Sequence, residues 1–327
     1  MTPLAEVLRD EIRREGPIPF RRFMEAALYD PVHGYYRRDP FGKQGDFYTA
    51  EQIQPVFGIL IAQQVRALYR EMGSPADFTV VELGAGRSEM AAAFEGWRYI
   101  PVDLNTGSLP ERFRGVVFCN EFFDALPVET VTCSGGGCRE LRVGWDERFV
   151  WTVGCPVREP VADYLRRYFP PLAEGTRCEV NLEALAWLER IACAIEAGFV
   201  FTIDYGFTRA ESARFPQGSL MSYRKHQADE DVLRDPGVQD ITAHVAFSAL
   251  EEHGARLGLK TVRFETLART LLGAGEADQF AAALAAESPA DELRRRLQLK
   301  TLLFGMGETF RTLLQKAGGA HAGLATK

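Results

Sequence analysis

The stretch from Phe78 to Met90, Phe-Thr-Val-Val-Glu-Leu-Gly-Ala-Gly-Arg-Ser-Glu-Met, constrains the fold more than any other. Phe78 to Leu83 is β-branched and apolar enough for a strand buried in a parallel sheet. Gly84, Ala85 and Gly86 follow as a turn where backbone can approach a ligand closely, and Ser88 to Phe94 is expected to be a helix. A strand running into Gly-x-Gly and a helix suits two ligand classes. A dinucleotide site wants a third glycine for the pyrophosphate, and that position holds Glu89. S-adenosylmethionine carries a sulfonium and an amino group, which the carboxylates Glu82 and Asp103 serve better. An ordinary strand-to-helix turn in some other α/β enzyme is the third reading, because Gly-x-Gly alone is a weak signal.

The rest of the chain repeats the alternation. Arg98 to Asp103 is a second strand with an acid at its carboxyl end, and right-handed crossover brings that acid beside Gly84 and Gly86, where it suits a ribose diol. Gly115 to Asn120 is the next strand, and Gly198 to Gly206 another, finishing on Asp204-Tyr-Gly near the end of the strand at Asn120. Polar and aromatic residues crowd Asn120-Glu-Phe-Phe-Asp-Ala-Leu-Pro127 at a carboxyl strand end, where open α/β sheets do their chemistry. Asp124 also fits a helix cap. Between these blocks, Glu129 to Val153 alternates around Gly135-Gly-Gly and reads as a hairpin continued by a third strand.

Helical spacing marks Thr2 to Glu15, Arg21 to Leu28 and Glu51 to Met72, so residues 1–75 form an N-terminal helical or lid extension. Residues 76–318 are the core with hairpin and helical insertions, and 319–327 a tail; the whole also fits one continuous domain. Between the first helices, Tyr29 to Tyr36 and Phe41 to Thr49 are too polar for core and too aromatic for a linker, so Tyr35, Tyr36 and Asp46 are candidates to line or cover a site. His226 and His244 sit in a second polar excursion, as acid-base groups, metal ligands or loop hydrogen-bonders, with metal the weakest reading because no third ligand lies nearby.

With 327 residues, 46% of them apolar, the chain can bury a core. Its apolar runs fall far short of the ~20 residues of a bilayer span, so no membrane insertion is expected. A net charge of −7 leaves no global basic footprint for nucleic acid, and Arg294-Arg-Arg296 reads as a solvated helix face. The first ten residues lack the apolar segment of a secretory signal and the acid-poor composition of a transit peptide, so a bacterial-type cytoplasm is the expected compartment. Six cysteines show no zinc spacing, and no metal is expected. They read as mostly buried thiols, and a bond between Cys133 and Cys138 is not expected in that compartment.

The ordered blocks together resemble the MidA-like methyltransferases, which include the mitochondrial complex I assembly-factor arginine methyltransferases. The resemblance rests on Gly16-Pro-Ile-Pro-Phe20, Leu28-Tyr-Asp-Pro-Val-His-Gly-Tyr-Tyr36, Gly45-Asp-Phe-Tyr-Thr-Ala-Glu51, Glu82-Leu-Gly-Ala-Gly86, Asn120 to Val128, Ile203-Asp-Tyr-Gly206, Tyr223-Arg-Lys-His226 and Pro236 to Val245. It implies a class I methyltransferase (Rossmann-like) α/β fold: a seven-stranded, mostly parallel sheet with an N-terminal helical extension and an α-helical insertion. It also implies S-adenosylmethionine as donor, S-adenosylhomocysteine as product, and a protein arginine as acceptor, in the family's case on an NADH dehydrogenase subunit. The chain departs from the family pattern at Ser88, where the donor loop usually has another glycine, in the short connection from Asp103 to Gly115, and at Leu267 in place of a glutamine.

On this reading Glu82, Gly84, Ala85, Gly86, Asp103 and Asn120 hold the donor. Glu121 is the first candidate to pair with a guanidinium, Asp124 the second, and His226 a further catalytic candidate. Tyr35, Tyr36, Asp46, Phe122 and Tyr205 form substrate walls or a lid. A homodimer is among the assemblies it allows. Two rival classes stay open: a methyltransferase for a small-molecule or nucleic-acid amine, since Asn120-Glu-Phe-Phe is loosely similar to an Asn-Pro-Pro-Phe loop, and a non-catalytic assembly protein that keeps the fold.

Overall fold

All six residues of strand β1 (Phe78–Leu83) are buried, as an apolar run flanked by parallel neighbours requires. β2 (Arg98–Val102) pairs with one edge of β1 and β3 (Phe113–Asn120) with the other, both parallel. β4 (Ile195–Phe207) pairs parallel with β3 in a register that sets Asn120 opposite Ile203. The chain adds β5 (Leu259–Thr266) and closes with β6 (Phe310–Ala317), which is antiparallel to both β4 and β5. The sheet has seven strands, and the path of six runs β5-β6-β4-β3-β1-β2. This is the mostly parallel α/β sheet expected from the sequence.

The computed structural model describes residues 1–37, 54–104, 106–224 and 227–318; Asp46 and His226 lie outside them, as does the tail. Two compact units divide the chain. One comprises Thr49–Phe123, Trp187–Gly206 and Leu250–Lys327 and holds β1 to β3, β5, β6 and nearly all of β4; the other comprises Met1–Tyr48, Asp124–Ala186 and Phe207–Ala249.

In the sheet unit, Phe94, Phe118 and Phe199 are fully buried, with Phe201 at 1% exposure. Helix Val56–Glu71 contributes Val56, Phe57, Leu60, Ile61, Val65 and Leu68 to the same apolar cluster, at the spacing its sequence shows. Each such side chain stabilises the fold by about 1.5–3 kcal/mol relative to exposure. The helix expected at Ser88 to Phe94 is absent. Instead Ala91, Ala93 and Trp97 donate to the carbonyls of Ser88, Met90 and Phe94, a chain of i→i−3 turns. Ser88 stands at φ 58°, a left-handed conformation no α-helix contains, so a helix cannot start there. Among the described residues of the connection from Asp103 to Gly115 there is no helix, and Asp103 and Thr106 exchange backbone hydrogen bonds.

The second unit starts with helix Pro3–Glu15, capped by Thr2, whose hydroxyl accepts from Ala5 N at 3.1 Å, and ended by Gly16 at φ 83°. Its five-stranded antiparallel sheet includes the expected hairpin, Glu129–Ser134 with Gly137–Asp146, and the third strand Arg148–Pro156. Gly135 and Gly136 at φ 63° and 80° give the two-residue turn whose twist matches the strands. One expectation is corrected here. Cys133 and Cys138 are cross-strand partners with Cα atoms 4.2 Å apart, and their sulfurs are paired as a disulfide. Compartment says nothing of the tight glycine turn, which makes the two residues neighbours. Cys119 and Cys178 are buried thiols, whereas Cys155 and Cys193 are exposed.

Candidate active site

In open α/β sheets, ligands sit outside the carboxyl ends of the strands where strand order reverses. Here that point lies between β1 and β3, because the chain leaves β1 for β2 on one side and returns to β3 on the other. Four strand ends therefore deliver the site residues of the sheet unit: Glu82 with Gly84 to Gly86 from β1, Asp103 from β2, Asn120 to Phe122 from β3, and Tyr205 from β4.

The glycine turn forms an open floor. Gly84 and Gly86 are exposed at φ 71° and 49°, while Ala85 between them is buried. Gly84 is required twice over: its backbone is left-handed, and an added Cβ would come within 3.1 Å of the Phe122 ring. Phe122 is fixed in turn by edge contacts to Phe123 and Trp187, with centroids 5.2 and 5.3 Å away. Asp103 is aimed by backbone: Gly86 N donates to its Oδ2 at 2.7 Å and Leu104 N to its Oδ1 at 2.6 Å. Each oxygen keeps a lone pair for a further donor, as a diol requires.

Glu82 is 5% exposed on the face of β1 that also carries Val80 and Phe78. Burial raises its carboxyl from an ordinary 4.5 to about 7, with Glu89 and Asp103 adding to the rise and the Tyr99 hydroxyl opposing it. Tyr99 Oη donates to Glu82 Oε2 across the β1–β2 pairing, and the Ser88 hydroxyl donates to Tyr99 Oη. Burial and the Glu82 charge push the Tyr99 phenol far upward, so it stays a donor.

At the end of β3, Glu121 is half-buried at φ 48° with its N–H donating to Ile203 O at 3.0 Å. Asn120 Nδ2 makes a long 3.4 Å contact with Glu121 Oε1. A non-glycine residue in this region is strained, and such strain concentrates at functional sites. The turn is pinned by Asp204, fully buried, whose Oδ2 accepts from Phe123 N at 3.1 Å and whose Oδ1 accepts from Tyr205 N at 2.9 Å. The Tyr205 ring packs edge-on against Phe310 at 5.4 Å.

The remaining candidates belong to the other unit. Tyr35 is 2% exposed within an apolar cluster that includes Leu4, Leu8 and Phe23. Tyr36 stacks on Tyr29 and donates to Asp240 Oδ1 at 3.1 Å; burial, then Asp240, pushes its phenol well upward. Asp124 is 3% exposed, and its carbonyl accepts from Ala243 N at 3.0 Å. Tyr29 Oη reaches Ala125 O at 2.7 Å. Three sequence blocks, around residues 29–36, 124–128 and 236–243, thus meet in this unit. His244 is half-buried with its ring edge-on to Phe215 at 4.8 Å, and burial lowers its imidazole.

Sequence reasoning missed Tyr99, Asp204 and Trp187. Tyr99 looks like an ordinary strand residue until the parallel register sets it opposite Val80, on the face of Glu82. Asp204 is legible as a strand-end acid, but one of its two backbone donors, Phe123 N, comes from a turn 81 residues away in sequence, which no local pattern shows.

The floor and its acids fit S-adenosylmethionine: carboxylates face where a cationic amino-acid end and a ribose would lie, and the turn chain after Gly86 offers no helix N-terminus for a pyrophosphate. Comparison with known proteins agrees. The family described as "Putative S-adenosyl-L-methionine-dependent methyltransferase" matches residues 97–265. A crystal structure of a superfamily member from Burkholderia thailandensis bound to S-adenosyl-homocysteine superposes with a TM-score of 0.85 at 32% identity, covering 98% of this chain and 93% of that one. The mitochondrial protein arginine methyltransferase NDUFAF7 homolog of Drosophila melanogaster is 29% identical over 75% of this chain and 68% of its own length. The human mitochondrial protein arginine methyltransferase NDUFAF7 is 26% identical over 76% and 68%.

Proposed function

The chain belongs to the family of S-adenosyl-L-methionine-dependent methyltransferases, and from that premise we propose that its methyl acceptor is an arginine side chain of a protein. The observation that carries the acceptor is Glu121: a half-buried carboxylate on strained backbone at the carboxyl end of β3, beside Asn120. The names of the Drosophila and human relatives point to the same acceptor class.

Bound S-adenosylmethionine supplies an electrophilic methyl group on a sulfonium and a neutral thioether leaving group. The protein's residues do the rest. Asp103, held by Gly86 and Leu104, accepts from the ribose hydroxyls. Glu82 meets the ammonium of the amino-acid end. Glu121 pairs with the acceptor guanidinium, a planar fork that suits a carboxylate, and so concentrates its positive charge on one side. The other terminal nitrogen is then the better nucleophile. As the N–C bond forms and the S–C bond breaks, the guanidinium gains a methyl and must lose a proton, which Glu121 takes from the nitrogen it pairs with. Alignment and exclusion of water supply most of the acceleration, since the leaving group needs no protonation. Phe122, of the same unit as Glu121, shapes the acceptor's surroundings.

The test is transfer of labelled methyl to protein fractions enriched in NADH dehydrogenase subunits, to RNA and to small-molecule extracts, followed by mass spectrometry of the product. Methylarginine in a protein fraction is the expected result. Label confined to RNA or to small amines would overturn it.

A further inference from the structure

We infer that Tyr99 is a positioning residue for donor binding: its hydroxyl, backed by Ser88, keeps the Glu82 carboxylate charged and oriented for the ammonium of the donor's amino-acid end. The inference rests on the reading that Glu82 meets that ammonium, and deepens it.

Three observations carry it. First, the Tyr99 hydroxyl has work that packing does not explain. The ring belongs to the apolar cluster and lies 5.9 Å from the ring of Phe94, but the hydroxyl leaves that cluster to reach Glu82 Oε2. Second, the direction of the hydrogen bonds is fixed by chemistry. Tyr99 spends its one proton on Glu82, so Ser88 must donate to Tyr99, which polarises the Tyr99 O–H and makes it a better donor. Third, Ser88 holds this place at φ 58°, a conformation that suits glycine; the serine accepts the strain and adds a hydroxyl that glycine lacks.

Glu82 needs such help. From β1 itself it sits among apolar neighbours; from the turn segment it faces Glu89, from the loop after β2 it faces Asp103, and from β3 the buried Cys119 thiol. Burial and both acids favour the protonated carboxyl, and the Tyr99 hydroxyl is the group that opposes them. A protonated Glu82 attracts no ammonium. Tyr99 donates to one oxygen only, so the same carboxylate can serve both partners.

The experiment is calorimetric titration of the full chain with S-adenosylhomocysteine and with 5′-methylthioadenosine, which keeps adenine, ribose and sulfur but lacks the amino acid, across pH 5.5–8.5. For the unaltered protein, S-adenosylhomocysteine affinity should rise through pH 7 and methylthioadenosine affinity stay flat. Tyr99→Phe, which keeps the ring, should move the midpoint up by about one pH unit and weaken S-adenosylhomocysteine about tenfold at pH 7. Ser88→Gly should move it the same way by less. Glu82→Gln should bind S-adenosylhomocysteine weakly with no midpoint. A Tyr99→Phe profile identical to that of the unaltered protein, beside an altered Glu82→Gln profile, overturns the inference alone. An unaltered Glu82→Gln profile overturns the Glu82 reading and the inference with it. Equal loss of both ligands in Tyr99→Phe means that Tyr99 acts by packing, and also overturns it.

Discussion

The backbone N–H of Phe123 donates to Oδ2 of Asp204 at 3.1 Å, tying the turn after one strand to the end of its parallel neighbour. The other carboxylate oxygen accepts from Tyr205 N at 2.9 Å, and the side chain is fully buried. Asp204→Ala leaves the buried Phe123 N–H and the part-buried Tyr205 N–H without this acceptor, the buried one at a cost of about 1–3 kcal/mol. Urea denaturation should show a loss of about 2–5 kcal/mol, with the midpoint lowered and the slope unchanged. An unchanged midpoint would mean that the turn is held by something else.

Glu82 makes the stability of the ligand-free protein depend on pH in the less common direction. Its folded carboxyl titrates near 7 rather than 4.5, so between those values the folded chain holds a proton that the unfolded chain has released. Stability from this group is therefore full below about pH 4.5, falls as pH rises through 7, and levels off above it, by up to about 3 kcal/mol. Glu82→Gln removes this component. Denaturation at pH 5 and pH 8 should show the variant gaining on the unaltered protein at the higher pH.

Gly84 resists a side chain both by its backbone and by its neighbour. Gly84→Ala places a Cβ 3.1 Å from the Phe122 ring on backbone at φ 71°. The left-handed conformation alone costs alanine about 1–2 kcal/mol. The expected outcome is a protein that still folds, seen by circular dichroism, and that binds S-adenosylhomocysteine at least tenfold more weakly because the floor has shifted. Wild-type affinity would remove the glycine turn from the donor site.

Glu121 separates transfer from fold. Glu121→Gln keeps size and hydrogen bonding but loses the charge that pairs with a guanidinium, so methyl transfer to protein should drop at least a hundredfold while S-adenosylhomocysteine affinity changes less than about threefold. Glu121→Gly relieves the strain at φ 48° and should stay within about 1 kcal/mol of the parent's stability, yet be equally inactive. Transfer by either variant at the parental rate would remove Glu121 from the acceptor's recognition.

Sequence alone settled the strands, because β1, β3 and β4 are mostly apolar and β-branched runs with polar residues or glycines at their carboxyl ends, and period and composition are local properties. It likewise determined the donor-loop glycines, the acid at Asp103 and the hairpin at Gly135-Gly136. Tertiary structure decided what depends on register and on backbone sign. Ser88 turns left-handed, and the expected helix is a row of turns; Cys133 meets Cys138 across the hairpin; Tyr99 and Val80 share a register position, which brings a strand tyrosine to Glu82; and Asp204 finds one of its two donors, Phe123 N, in a distant turn. Hydrogen bonds between strands join residues far apart in the chain, and a carboxylate's protonation answers to everything buried around it. Neither quantity is written in any local run of residues.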